Sequence, residues 1–306
     1  MSSLVHLHLF GARTPSGEAF RRLVASVLPE SEFDCYSRWS HDRSLCSRIA
    51  RFDDPASFSP AGEPGVPAIW ISFVPIWLLA PFLQELASDY PDRLSSLCGL
   101  VACSSSSIIT KRFSANRFDK DLVVRLTRAE DQLLATCRQL ELRCHILRPT
   151  LIYGQVGPYG DRNFSQLLKL MRHLPLIPLP SESGLRQPIH ASQLAAVALH
   201  LVKQLSDTSS PSSLPERIDV GGDSILDYQS MLHALQQAQP PGDPACRCRL
   251  FPIPNRLFFT LASPLLLRSP KAFEAVMRMT ANLSGFTPAY QLSGGEPQPF
   301  PVLPLA

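Results

Sequence analysis

The chain has 306 residues, 45% of them hydrophobic and 18% charged, with a net charge of +3. So much apolar material with so little charge excludes disorder and supports a substantial core. With no basic block and no nucleic-acid motif, nucleic acid is excluded as an expected partner, which leaves a small-molecule substrate or a protein partner.

In chain order, VHLHLF (5–10) predicts a strand, followed by a glycine-bearing turn and an amphipathic helix, GEAFRRLVASVL. Gly11 and Gly17 bracket a strand-to-helix turn, where free amides and the helix dipole favour a phosphate. The dinucleotide fingerprint has a further glycine between them, and Thr14 stands at that point. The same spacing also occurs in ordinary turns. EFDCYS (32–37) predicts a second strand and ends in Ser37-Arg38. An NAD site offers a carboxylate here, whereas a 2′-phosphate calls for an arginine and small hydroxyls, so NADP is favoured over NAD. The alternative is an exposed surface arginine, and Asp34 within the strand keeps NAD open.

Residues 66–84, VPAIWISFVPIWLLAPFLQ, carry no charge. Their length approaches the ~20 residues of a membrane span. Pro67, Pro75 and Pro81 argue against one continuous helix. The stretch reads instead as a buried strand, AIWISFV, a turn at Pro75 and a helix, which makes integral membrane insertion the lesser reading. LCGLVACS (97–104) is a strand running straight into SSSSIITK (104–111). Ligands of a parallel sheet bind beyond its carboxyl ends, so Ser104 and Ser105 are candidates to present hydroxyls to a cofactor. A long helix over 121–140 and the strand of LRCHILRPTLIYG (142–154) follow. Strands alternating with helices predict an α/β fold, a Rossmann-type doubly wound parallel sheet.

From Gln155 the pattern changes to GQVGPYGDRN, a helix FSQLLKLMRHL, the proline-rich LPLIPLP and a polar loop over 206–216. RIDVGG reads as a short strand, and LDYQSMLHALQQA and KAFEAVMRMTANL as helices. The expected division is an NAD(P)-binding domain over 1–154, with later elements returning to it, and a smaller substrate-side lobe with a proline-rich tail over 155–306. The eight cysteines are scattered, apart from Cys246 and Cys248, with no second Cys/His pair at zinc spacing. No metal site is expected, and free thiols suit a reducing compartment. The N-terminus shows neither a basic leader nor a cleavage site, so the expected location is cytoplasmic.

Several of these segments together resemble the extended short-chain dehydrogenase/reductases, and more narrowly the divergent NAD-dependent epimerase/dehydratase-like proteins. They are the glycine turn, the serine cluster after LVAC, Arg128-Ala129-Glu130 on the long helix, LRPTLIYG, GDRN (160–163), GLRQPIHASQLAAVAL (184–199) and MRMTANLSGF (277–286). The resemblance covers most of the chain, with LRPTLIYG and GLRQPIH its most specific parts. It implies hydride transfer on a nucleotide-sugar-like or other small carbonyl or alcohol substrate. In active members a tyrosine is the acid/base, a lysine four residues later lowers its pKa, and a hydroxyl positions the carbonyl. Ser106 matches that hydroxyl.

No tyrosine lies between Tyr90 and Tyr153, so the Tyr-x-x-x-Lys pair is absent. A proton donor would have to be another group. Lys111, the closest cation and the other catalytic candidate, is read either as approaching the ribose or the substrate or as a solvated loop lysine. The resemblance places Val74, Arg148, Pro149 and Thr150 on the cofactor side, with Tyr153 packing beside them. It places Asp161, Arg162, Asn163, Arg186, Gln187 and His190 on the substrate side, where Arg186 could pair with a phosphate or carboxylate. His190 can equally be a hydrogen-bonded residue at a helix start, and His6 and His8 read as packed within a strand. Two functions stay open: an NAD(P)-dependent oxidoreductase or epimerase/dehydratase, and a non-catalytic NAD(P)-binding scaffold. The oligomeric state is left open.

Overall fold

Apolar runs without alternation need cover on both faces, which a parallel sheet between helix layers supplies. A computed structural model describes residues 5–28, 33–37, 48–60, 65–207 and 214–303. Its strands are β1 (His6–Phe10), β2 (Phe33–Ser37), β3 (Arg48–Ile49), β4 (Ala68–Ser72), β5 (Leu97–Cys103) and β6 (Arg143–Pro149), joined by Arg217–Gly221 and Thr287–Pro288. The order across the sheet is Thr287–Pro288, Arg217–Gly221, β6, β5, β4, β1, β2, β3. Each neighbouring pair is parallel. The chain moves outward from β1 through β2 to β3, then crosses to β4 on the other flank. The reversal leaves a crevice at the carboxyl ends of β1 and β4.

The main helices are α1 (Pro15–Val27), α2 (Ile76–Asp89), α3 (Ser107–Thr110), α4 (Arg117–Gln139), α5 (Asn163–His173), α6 (Ala191–Ser206), α7 (Tyr228–Gln237), α8 (Asn255–Ala262), α9 (Pro264–Arg268) and α10 (Pro270–Met277). Alternate residues of the strands supply two cores. Leu7, Leu9, Ile69, Ile71 and Val101 pack under Phe20 and Val24 of α1 and the apolar face of α6. Phe10, Trp70, Leu100 and Ile146 pack under Leu79, Phe82 and Leu83 of α2 and Leu126, Leu133 and Leu134 of α4. Each such side chain, fully buried, contributes about 2 kcal/mol before entropy. The uncharged 66–84 stretch is thus β4 and α2, and among the described residues no helix is long and apolar enough to cross a membrane.

A third, smaller core joins Tyr153, Phe164, Leu168, Met171, Met231 and Leu235. The proline-rich LPLIPLP contains a strand, Leu176–Pro180, paired in parallel with Arg249–Ile253. Proline's missing donor hides such strands from a pattern reading and confines them to short edge pairings. The second half of SSSSIITK is the one-turn helix α3. Helix α4 starts four residues before its apolar pattern does, because the Asn116 side chain accepts from the Asp119 amide at 2.9 Å and caps it.

That cap anchors a larger cluster. Asp119, 2% exposed at its side chain, accepts from Lys111 Nζ, Asn116 Nδ2 and an Arg278 nitrogen, each at 2.9 Å. Glu274 of α10 in turn accepts from the Asn116 side chain at 2.7 Å. A segment about 160 residues downstream is therefore pinned to the start of α4 by buried charge. Burial alone would raise the Asp119 carboxyl, but the bonds from Lys111, Asn116 and Arg278 outweigh it and hold it far below the usual carboxylate range.

Asp119→Ala should cost about 3 kcal/mol in urea unfolding, because two partly buried cations lose their shared anion. A carboxyl depressed in the folded state contributes fully above its unfolded pKa, near ~4, and loses that contribution as pH falls through the folded value. The gap between wild type and Asp119→Ala should therefore be constant from about pH 7 to about pH 5 and narrow only in stronger acid. A gap that closes between those two values would contradict this account.

Candidate cofactor and substrate site

The turn after β1 is drawn tight. Gly11 sits at φ +87°, and a Cβ on it would lie 3.0 Å from the Phe73 carbonyl carbon. A Cβ on Gly17 would lie 2.1 Å from the Gly11 oxygen, so only glycine lets α1 pack this closely on the strand. Thr14, in place of the central glycine, makes the turn by other means: its hydroxyl donates to the Gly11 oxygen at 2.8 Å and accepts from the Gly17 amide at 3.0 Å. The first turn of α1 is left at the carboxyl ends of β1 and β4, beside Val74. Ser37 is buried at the end of β2. Arg38, paired with it as a 2′-phosphate candidate, lies outside the described residues.

Beyond β5 the backbone stays tied to β6, with the Ser104 amide donating to Leu147 at 2.7 Å and the Ser106 amide to Pro149 at 3.0 Å. The three hydroxyls then differ. That of Ser104 donates to Glu130 at 2.5 Å, and that of Ser105 to Ser107 at 3.0 Å. The Ser106 side chain makes no hydrogen bond to any described residue, and Ser106 is only 7% exposed. Glu130, fully buried on α4, also accepts from Arg148 at 2.5 to 3.1 Å and from Arg217 at 3.1 Å. The Arg148 guanidinium is thus turned into this network, with Asp219 3.5 Å away. The Thr150 hydroxyl donates to the Gln187 carbonyl. Arg148, Pro149 and Thr150 lie beside the serine loop, and their polar groups brace the β5 and β6 ends.

Other reactive candidates are engaged. Lys111 is ion-paired with Asp119, neither loosely solvated nor idle. Desolvation pushes the Cys103 thiol up to about 12, so it is no thiolate near neutral pH. Burial likewise raises the Tyr153 hydroxyl, which accepts from the Val302 amide at 2.9 Å and packs against Phe164, His190 and Phe300. On α4, Leu126, Leu133 and Leu134 fill the core while Lys120 faces solvent. His6 bonds Asp34 at 2.8 Å and His8 bonds Tyr36 at 2.9 Å, both inside the sheet.

On the expected substrate side, Arg186 is 9% exposed and donates to the carbonyls of Leu185, Ala281 and Arg278, with its guanidinium 5.4 Å from the Tyr228 ring centre. Gln187 donates to Gly222 and Phe286 at 2.9 Å. His190 caps α6, accepting from the Ser192 amide at 3.2 Å. Asn163, the exposed first residue of α5, follows Asp161, whose carboxylate accepts from the Phe164 amide at 2.7 Å. Arg186, Gln187, His190 and Asp161 hold loops together, whereas Arg162 and Asn163 are exposed. The charge hubs of Asp119 and Arg217 were missed from sequence. Asn116 three residues before Asp119 is a helix-cap signal that could have found the first, whereas Arg217 has no local signal.

No protein-family model matches the chain, and no curated protein matches it in sequence. Solved structures do match in shape. A nucleoside-diphosphate-sugar epimerase from Staphylococcus aureus is 15% identical, covering 96% of this chain and 97% of its own, with a TM-score of 0.58. A human epimerase family protein with NADPH is 13% identical over 97% and 96%, at 0.63. The triphenylmethane reductase of a Citrobacter species, complexed with NADP(H), is 13% identical over 96% and 97%, at 0.60. Along nearly its whole length, this chain has the fold of these epimerase and reductase structures, a Rossmann-like α/β fold.

Proposed function

We propose that the chain binds a nicotinamide dinucleotide, NADP in preference to NAD, across the carboxyl ends of β1 and β4. It acts there on a small carbonyl or alcohol substrate of the nucleotide-sugar kind. One observation carries this reading: the close contact of Gly17 with Gly11 seats the start of α1 at the crevice, where the helix dipole suits a pyrophosphate. The NADPH and NADP(H) complexes among the structural neighbours support it. So does the Ser37-Arg38 pair for the 2′-phosphate. When bound, the nicotinamide supplies or receives the hydride.

The chain's own part is positional. Ser106 offers the one hydroxyl of the three that is not bonded to a described residue, and it holds the substrate oxygen. Glu130 with Arg148 fixes the loop that carries it. A second reading, a scaffold that binds the dinucleotide without turnover, is favoured by α4, which carries leucines in the core and no tyrosine.

Titration with NADPH and NADH, followed by nicotinamide fluorescence, should show binding of both and tighter binding of NADPH. No response to either at millimolar concentration would refute the proposal. Arg38→Asp should weaken NADPH by about tenfold and leave NADH nearly unchanged, as expected for a lost charge-assisted contact, whereas equal effects would remove the 2′-phosphate argument. Exchange of label from NADPH into candidate sugars separates enzyme from scaffold. If exchange occurs, Ser106→Ala should slow it about a hundredfold, the scale for one lost oxygen-orienting donor, with dinucleotide affinity unchanged.

A further inference from the structure

The arm that joins the last strand of the LPLIPLP pair to the Asp119 cluster has an unusual surface. Phe251, Leu257, Leu261, Leu266 and Leu267 stand 53%, 49%, 64%, 51% and 92% exposed. Leu257 and Leu261 share one face of α8, while Phe258 turns into the protein. Between Asp243 and Glu274 the sequence has no acidic residue, and its five basic ones, Arg247, Arg249, Arg256, Arg268 and Lys271, are all exposed. The neighbouring loop adds to the surface. Phe113 and Phe118 are 85% and 68% exposed, Arg112 lies 4.4 Å from the Phe113 ring centre, and Lys271 lies 6.0 Å from that of Phe118. The bonds from Asn116 to Glu274 and from Arg278 to Ser114 hold that loop against α10, so the two regions are adjacent.

Large exposed apolar side chains gathered among mainly basic ones, with Glu182 and Asp121 the exposed acids beside them, mark an interaction surface. Its chemistry selects the partner. Leucine and phenylalanine enter the boundary between headgroups and acyl chains, while arginine and lysine stay with the phosphates. A second copy fits poorly, because a two-fold contact would set this basic patch against itself. Helix α8 has eight residues, too few to span, which limits the arm to the surface. We propose that the arm formed by α8, α9 and the start of α10, together with the Phe113–Phe118 loop, docks on an anionic lipid bilayer surface. The attachment is peripheral. Because Arg186 donates to the carbonyls of Arg278 and Ala281, the docked arm is fixed to the substrate-side lobe.

Flotation of the full chain with phosphatidylcholine vesicles, with and without phosphatidylglycerol, tests this. Binding is expected to the anionic vesicles alone and should weaken as salt is raised. Arg268→Gln with Lys271→Gln should weaken it about fivefold for each charge removed. Leu266→Ser with Leu267→Ser should weaken it at least tenfold, on the order of one buried leucine. These leucines are exposed, so both variants should keep the wild-type urea midpoint, and the salt dependence of the wild type stands as an independent check. Failure to float with anionic vesicles, equal binding to neutral ones, or binding indifferent to both variants would overturn the proposal. So would a concentration-dependent dimer abolished by Leu267→Ser, which would assign the face to a second copy.

Discussion

A carboxylate taken wholly out of water costs several kcal/mol unless donors surround it. Glu130 meets that condition through Ser104, Arg148 and Arg217, which come from the end of β5, from β6 and from the strand Arg217–Gly221. Helix α4 cannot shift along the sheet without stranding this charge, and neither can the three strand ends move apart. The same network sets the orientation of the loop after β5. With Ser104 turned back toward α4 and Ser105 bonded to Ser107, the chain is directed so that Ser106 begins the next helix with its amide on Pro149. The chemistry proposed for the serine cluster thus depends on a charge that reaches neither solvent nor substrate.

Much of this was readable from sequence because the sheet is parallel and covered twice. Runs such as AIWISFV and LCGLVAC are apolar on both faces, and few other structures tolerate that. The geometry of the candidate site was readable where backbone sets it: Gly11 and Gly17 announce a tight strand-to-helix turn, and a strand feeding SSSSIITK announces a loop at the sheet's carboxyl end. What stayed hidden was long-range pairing of charge. Arg148 was expected on the cofactor side from the resemblance and Arg186 beside a phosphate or carboxylate, yet in the fold one meets a buried glutamate and the other a set of carbonyls. Nothing local distinguishes these fates. Lys111 illustrates the point from the other side, since either reading of it left out Asp119, its partner eight residues on.

The C-terminal arm was opaque for a different reason. Its prolines break the apolar pattern into pieces too short for a period to emerge, so α8 and α9 leave no clear helical signal. Its position is set by tertiary bonds. Glu274 and Arg278 hold its end to the cap of α4, where Arg186 also donates to the Ala281 carbonyl, and the pairing of Arg249–Ile253 with Leu176–Pro180 holds its start. A segment fixed at several points can keep leucines in solvent, because the buried charge cluster, rather than their own burial, holds it in place.

The absent tyrosine fits this pattern of charges. In a site served by Tyr-x-x-x-Lys, the lysine charge lies free beside the reacting centre and favours loss of the tyrosine proton. Here α4 presents leucines to the core, and three cations around the serine loop already have anions: Lys111 with Asp119, Arg148 and Arg217 with Glu130. A group placed among neutralised charges receives no such electrostatic help. If the chain moves a proton during hydride transfer, the proton must therefore come from the substrate, from water, or from a group other than a tyrosine of α4. The proposed dinucleotide crevice makes no such demand, since it is built from a glycine turn and a helix end.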